Sequence, residues 1–226
     1  RSSVKKLLEL IGVRMKGPIS AVANAQITFT APVADTSSLT IPQGSRTITV
    51  NSPEDGGALS YTLYKVNSNG TVDLDGNKHD LEFLFSPVAL GEEHITSSVL
   101  MEGALIIEGG SFRSVDSIKN VSLTQSPYVE KSAQVFVTGN TSTEGVYTEE
   151  DNIYFASGAT DKVFQITTDD SFKASVLFGD GTVGMSPTVG DEYSISYRVG
   201  GGSRGNIAES YLNTSITGVA KGSGSS

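Results

Sequence analysis

From Ala25 onward the chain is a succession of short apolar or alternating runs, and none of them carries the 3.6-residue period of a helix. The runs lie at 27–29, 39–41, 47–50, 59–64, 81–88, 104–107, 121–123, 133–138, 153–156, 163–168 and 175–178, and they are rich in Val, Ile, Thr, Tyr and Phe. Such residues suit a pleated, half-buried surface. Turn chemistry separates the runs: Asn51 to Gly57 is one such stretch, and Asn69-Gly70 between Val66 and Val72 is a hairpin signal. Strands at intervals of roughly 8–15 residues without helices between them specify a mainly β fold, β-sandwich-like or a sheet-rich α+β arrangement.

One segment departs from that pattern. Val4, Leu7, Leu8 and Ile11 stand at i, i+3, i+4 and i+7, with Lys5, Lys6 and Glu9 on the other face. Ser2 or Ser3 is placed to cap the N-terminus and Gly12 to end the helix. The spacing predicts a short amphipathic N-terminal helix, and a helix this short needs something to pack against. Its apolar stripe is therefore the first candidate for a partner-facing surface.

The expected organisation is a helical arm at 1–24, a β-rich region at 25–110, a second β-rich region at 111–207 containing a Gly-rich hairpin, and a Gly/Ser-rich linker at 208–226. The chain begins at Arg1 and ends in Lys221-Gly222-Ser223-Gly224-Ser225-Ser226, so the linker is expected to lead into a further part of a longer polypeptide.

Composition narrows the function. In 226 residues there are 25 glycines, above the usual ~7% share, which favours many tight turns. A net charge of −9 removes the electrostatic footprint for wrapping nucleic acid or coating an anionic membrane. The absence of cysteine excludes disulfides and thiolate metal sites and is compatible with assembly in a reducing cytoplasm. No apolar run approaches the ~18 residues of a membrane-spanning helix, and no signal peptide is visible.

The most specific stretch is Phe178-Gly179-Asp180-Gly181-Thr182-Val183-Gly184, followed by Tyr193 to Asn206, YSISYRVGGGSRGN. Its first part formally satisfies G-x-G-x-x-G. That fingerprint holds a pyrophosphate only where the glycines open a helix. Pro187 and Gly190 prevent a helix here, and Tyr193, Ile195, Tyr197 and Val199 then alternate as a strand. The Asp180-Gly181 pair predicts a tight turn of a hairpin.

This block resembles the baseplate J-like proteins of contractile-tailed phages and the related wedge protein of T4-like baseplates. The matching residues are Phe178, Gly179, Asp180, Gly181, Gly184, Pro187, Gly190, Tyr193, Ile195, Tyr197, Arg198, Gly200, Gly201, Gly202, Gly205 and Asn206. Weaker echoes are Leu8 to Met15, Ile41 to Arg46 and Glu102-Gly103. The resemblance implies a structural subunit of the tail baseplate of the virion, assembled in the cytoplasm of a bacterial host. Such a subunit holds neighbouring wedge proteins together and takes part in the rearrangement that triggers sheath contraction. It would act as a homo-oligomer, a dimer within a ring, with no catalytic residues, cofactor, metal, small-molecule substrate, nucleic acid or membrane. The alternative is a receptor- or carbohydrate-binding β module of a phage tail or adhesin, with Tyr61, Tyr64, Tyr147 and Tyr154 as candidate sugar-facing aromatics.

Other chemistry weighs little. Asp73-Leu74-Asp75-Gly76-Asn77 has the wrong register for an EF-hand, which needs Gly at the sixth position and Glu at the twelfth. His79 and His94, with Asp80, Glu82, Glu92 and Glu93 nearby, lack a metal-ligand spacing and read as solvated strand ends. The acidic pairs Glu54-Asp55, Glu149-Glu150-Asp151 and Asp169-Asp170 sit in turn-like stretches and point apart on a strand. Gly200 to Gly202 with Arg198 and Arg204 resembles an anion nest. A sharp exit from the sheet, with arginines free to pair with a neighbour's acids, is the preferred reading.

Overall fold

The computed structural model describes residues 18–73, 80–113, 119–156, 158–200, 205–208, 212 and 220–221. The helix expected over Val4, Leu7, Leu8 and Ile11 lies outside the described residues. The described chain is mainly β, as the run pattern requires, and it divides into two compact units. One is built from 20–104 and receives the described residues from Gly205 on; the other comprises 105–200 with 18–19. The division thus falls at Ala104/Leu105, ahead of the boundary expected near residue 110. The segment expected as a linker from 208 contributes a strand to the first unit.

The first unit is a sandwich. Its 4-stranded sheet has the order β1-β6-β4-β3, where β1 is Val22–Thr30, β3 Thr47–Asn51, β4 Ala58–Lys65 and β6 Glu93–Glu102. Its 3-stranded sheet has the order β14-β2-β5, where β2 is Thr36–Ile41, β5 Leu81–Val88 and β14 Ala220–Lys221. All pairings are antiparallel. The two sheets share one core, in which Leu39, Ile41, Leu81 and Phe83 meet Leu59, Tyr61, Leu63 and Leu100. The Asn69-Gly70 turn forms as its sequence requires: Gly70 has φ 82°, its amide donates to the Asn67 carbonyl, and Val66 bridges Val72. Arg46 is fully buried here. Its Nε and Nη2 donate to the Leu63 carbonyl at 3.1 and 2.9 Å, and its guanidinium lies 5.2 Å from the centre of the Tyr64 ring. Burial lowers its pKa, against opposing contributions from Tyr64 and Asp73.

The second unit is a 7-stranded sheet of order β7-β13-β9-β10-β11-β12-β8. Its strands are β7 (Ala104–Ser111), β8 (Asn120–Ser122), β9 (Gln134–Thr138), β10 (Gly145–Glu149), β11 (Val163–Thr168), β12 (Ala174–Phe178) and β13 (Glu192–Val199). β10 and β11 run parallel. The sheet curls so that its two ends approach. Thr124, just past β8, donates from its amide and hydroxyl to Glu108 of β7 at 3.0 and 2.6 Å. Tyr197 of β13 donates to the same carboxylate, and its hydroxyl accepts from the Gln125 amide at 3.1 Å. Inside the curl, Val135, Val137, Tyr147, Phe164, Ile166, Val176, Phe178, Ile195 and Tyr197 form one buried cluster. Burial and the bond to Glu108 push the Tyr197 phenol up to about 12.

A hairpin was expected between the strand ending at Phe178 and the strand starting near Tyr193. The structure corrects this: β12 and β13 do not pair, because β9, β10 and β11 lie between them. Residues 179–191 are a crossover at one end of the curled sheet. Sequence adjacency suggested local pairing, but β13 inserts between β7 and β9 instead.

Candidate functional site: a glycine-built backbone joint

The 179–191 crossover is where the specific sequence block acts. β12 delivers Phe178 into the core, where its ring packs edge-on against Phe112 and Tyr147 at 5.1 and 5.5 Å. The chain then folds onto itself: a Cβ built on Gly179 would lie 2.2 Å from the carbonyl carbon of Gly184. No side chain fits there. Gly181 and Gly184 have φ of 86° and 73°, where L-residues with a Cβ are strained. A Cβ on Gly184 would also come within 2.8 Å of Val163 Cγ2.

The hydrogen bonds of this loop decide its chemistry. The Asp180 amide donates to the Val183 carbonyl and the Gly181 amide to the Gly184 carbonyl. Asp180 Oδ1 accepts from the Thr182 and Val183 amides at 2.7 and 2.8 Å. Those amides hold the Asp180 carboxyl below its ordinary range. The Gly184 amide donates to the Gly158 carbonyl and the Met185 amide to the Asp161 carbonyl, fastening the loop to the turn before β11. Every amide from Asp180 to Met185 therefore already serves a protein acceptor, and a carboxylate occupies the place a bound anion would need. The G-x-G-x-x-G spacing here produces backbone-to-backbone packing.

The second half of the crossover is organised by Asp191, a residue the sequence reading passed over. Its side chain is buried and accepts four hydrogen bonds: from the Asn140 amide at 2.9 Å, Thr143 Oγ1 at 2.6 Å, and the Thr188 amide and hydroxyl at 2.8 and 2.9 Å. Burial pushes the carboxyl up, but the bonds from Thr143, Asn140 and Thr188 outweigh it and hold the pKa below the ordinary range. The Phe112 amide donates to the Asp191 carbonyl, and the Gly190 amide to the Phe112 carbonyl. Asp191 thereby ties the crossover to the β9–β10 turn and to the end of β7. Its signal was present, in the Thr-x-x-Asp spacing from Thr188 just before a strand. Pro187 is buried in this crossover.

The rest of the block divides between the two units. Tyr197 closes the curl as described. Arg198, expected to be free for a neighbour's acids, is instead buried, with its amide donating to Ser132 Oγ at 3.1 Å and its carbonyl accepting from Val129. Ser196 and Arg198 are buried, as are Ile195 and Tyr197, so that part of β13 is covered on both faces, and residues 128–129 run alongside it with Tyr128 bridged to Val199. Gly200 has φ 138° and donates to the Pro127 carbonyl. Gly201, Gly202 and Arg204 lie outside the described residues. Gly205 and Asn206 belong to the sandwich: the Tyr61 hydroxyl donates to the Gly205 carbonyl at 2.7 Å, and a Cβ on Gly205 would lie 2.6 Å from Glu102 Cδ. Asn206 is exposed.

The remaining candidates take structural places. Asp55 and Asp169 accept amides within their own turns. Asp151 and Glu149 both face Lys131, at 2.6 and 3.3 Å. Asp80 accepts the Gln43 amide, and Glu92 accepts the Ala89 amide. His94 stacks on Phe85 at 3.8 Å, while His79 and residues 74–77 of the Asp73 loop lie outside the described residues. Among the described residues no group of three His, Cys, Asp or Glu is placed to hold a metal ion, and no helix is long and apolar enough to cross a membrane. Of the four candidate sugar-facing tyrosines, Tyr61, Tyr64 and Tyr147 are buried and only Tyr154 is exposed, at 76%. No family model matches the chain, and no curated protein matches it.

Proposed function

We propose that the chain is a non-enzymatic structural subunit of a contractile-tail baseplate, associating with itself and with other wedge subunits in the virion. The observation that carries this reading is the use made of the FGDG block. The Phe178–Gly184 part of the block is spent on a closed backbone joint, with Gly179 against Gly184 and the loop amides bonded within the loop or to the turn before β11. A subunit that must carry load between neighbours needs rigid sheets with fixed corners, and connections at which interfaces repack. The buried carboxylate of Asp191 and the Tyr197–Glu108 closure supply such fixed corners. Arg198 and the described glycines of the block likewise serve packing and backbone geometry.

The test is immunogold labelling of tailed particles from a strain carrying the encoding gene, using antibody to this chain. Label at the tail end distal to the head supports the proposal. Label confined to the fibre tips favours a receptor-binding module, and contractile particles that assemble and infect normally after deletion of the gene overturn the structural role.

A further inference from the structure

Among the described residues, strand β1 is an edge that carries none of the charge, proline, bulge or shortness that usually guards an edge against pairing. Its nine residues, VANAQITFT, pair with β6 along their full length without a bulge. Among the described residues no strand pairs its other side. Natural edges are blunted by charge, proline, bulges or shortness. The edge strand β5 carries Glu82 and Pro87 and meets β2 with a register shift, and β14 has two residues. β7 and β8 are bridged through Glu108 and Thr124. β1 contains no charged residue and no proline, although the chain as a whole carries −9.

We propose that β1 is a self-association surface on which a second copy of this chain pairs antiparallel, about a two-fold axis through Gln26. Side-chain parity restricts the register, because a shift by one residue would set core-facing residues against solvent-facing ones. Among the permitted registers, the one centred on Gln26 engages all nine residues. On the core side it sets Ala23 against Phe29 and Ala25 against Ile27, a small residue opposite a large one each time. On the outer side it sets Asn24 against Thr28, Val22 against Thr30 and Gln26 against itself. Ala25, Ile27 and Phe29 only partly enter the sandwich core, so the second strand covers apolar surface left at its rim. With no charge on the strand, the two-fold brings no like charges together. The 4-stranded sheets of the two copies would become continuous. One strand pair buries less than the ~1,200 Å² of a standard stable interface, so the isolated dimer is weak and depends on concentration. The inference gives a surface to the self-association within the baseplate reading but does not need that reading.

Because the chain has no cysteine, single cysteines report the register directly. On oxidation, Gln26→Cys is expected to form a covalent dimer, since directly opposed Cα atoms on antiparallel strands fall within disulfide reach. Asn24→Cys alone is expected not to, because its two copies would stand about 14 Å apart. A mixture of Asn24→Cys and Thr28→Cys is expected to cross-link. In sedimentation velocity the unaltered chain should dimerise with rising concentration. Gln26→Lys, at an exposed position, should weaken that dimer at least about fivefold by opposing like charges. A chain that stays monomeric up to about 1 mM, a dimer indifferent to Gln26→Lys, or Asn24→Cys linking as readily as Gln26→Cys overturns the proposal. Failure to label phage tails, with the cross-links as expected, overturns the baseplate reading alone.

Discussion

Asp191→Asn is the substitution through which the joint is most directly weighed. Aspartate accepts four hydrogen bonds through two oxygens, three of them at Oδ2 and the Asn140 amide at Oδ1. Asparagine fills the same volume with one oxygen and one NH₂. With its oxygen in the three-donor place, the new NH₂ faces the Asn140 N–H, donor against donor. One charge-assisted bond is lost and one buried donor is left unmet, which costs about 2–3 kcal/mol. For a unit of this size that lowers Tm by roughly 8–20 °C. The pH dependence adds a second reading. The folded-state pKa of Asp191 is depressed, so its contribution is present above the unfolded value of about 3.9 and is lost as pH falls through the folded value. Wild type and Asp191→Asn should therefore converge on acidification, because protonation leaves the aspartate as uncharged as the amide. Differential scanning calorimetry at pH 7 and at stepwise lower pH measures both effects. A neutral-pH Tm within about 2 °C of wild type, or a gap that persists unchanged into acid, refutes the reasoning.

Two further outcomes follow from the same geometry. Gly179→Ala forces its Cβ into the Gly184 backbone and should cost more than about 3 kcal/mol in urea unfolding, whereas Gly44→Ala, with open space around it and no positive φ, should stay within about 0.5 kcal/mol. Tyr197→Phe should cost about 1–3 kcal/mol by removing the hydroxyl shared between Glu108 and Gln125. In the unaltered chain the Tyr197 contribution is full below pH ~10 and lost as pH rises through about 12; burial raises Tyr61, Tyr128 and Tyr147 too, so an alkaline ultraviolet titration should show one fewer late-ionising phenol in Tyr197→Phe than in the unaltered chain.

How far the sequence reaches is clearest strand by strand. β5 and β11 were legible to the residue, at 81–88 and 163–168, because their apolar and β-branched runs are bounded by polar turns. β6, the central partner of β1 and β4, was missed although it is ten residues long. Its Thr96-Ser97-Ser98 stretch hides the period, and Ser98 and Glu102 are buried by tertiary neighbours that no local window contains. β10 was missed for a similar reason: Gly145 and Glu149 frame a short alternation that pairs in parallel with β11. The run 153–156 read as a strand but forms a 3-10 turn at Ile153–Phe155, where Asn152 accepts the Tyr154 amide and stops extension. Within the joint, the glycines were legible as corners because only they tolerate positive φ and close approach. The false hairpin arose because chain adjacency says nothing of which strands insert between two others. Asp191 escaped notice because a buried carboxylate is recognised by its donors, and two of its donor residues, Asn140 and Thr143, are distant in sequence.

The joint itself is tested most directly by amide hydrogen exchange across 180–185, with and without pyrophosphate. If these amides are spent on protein oxygens, those of Gly184 and Met185 exchange only as slowly as the surrounding sheet opens, and pyrophosphate at millimolar concentration leaves every rate unchanged. Rapid exchange at Gly184 and Met185, slowed by micromolar pyrophosphate, would mean that the loop holds an anion and that its glycines were never joinery.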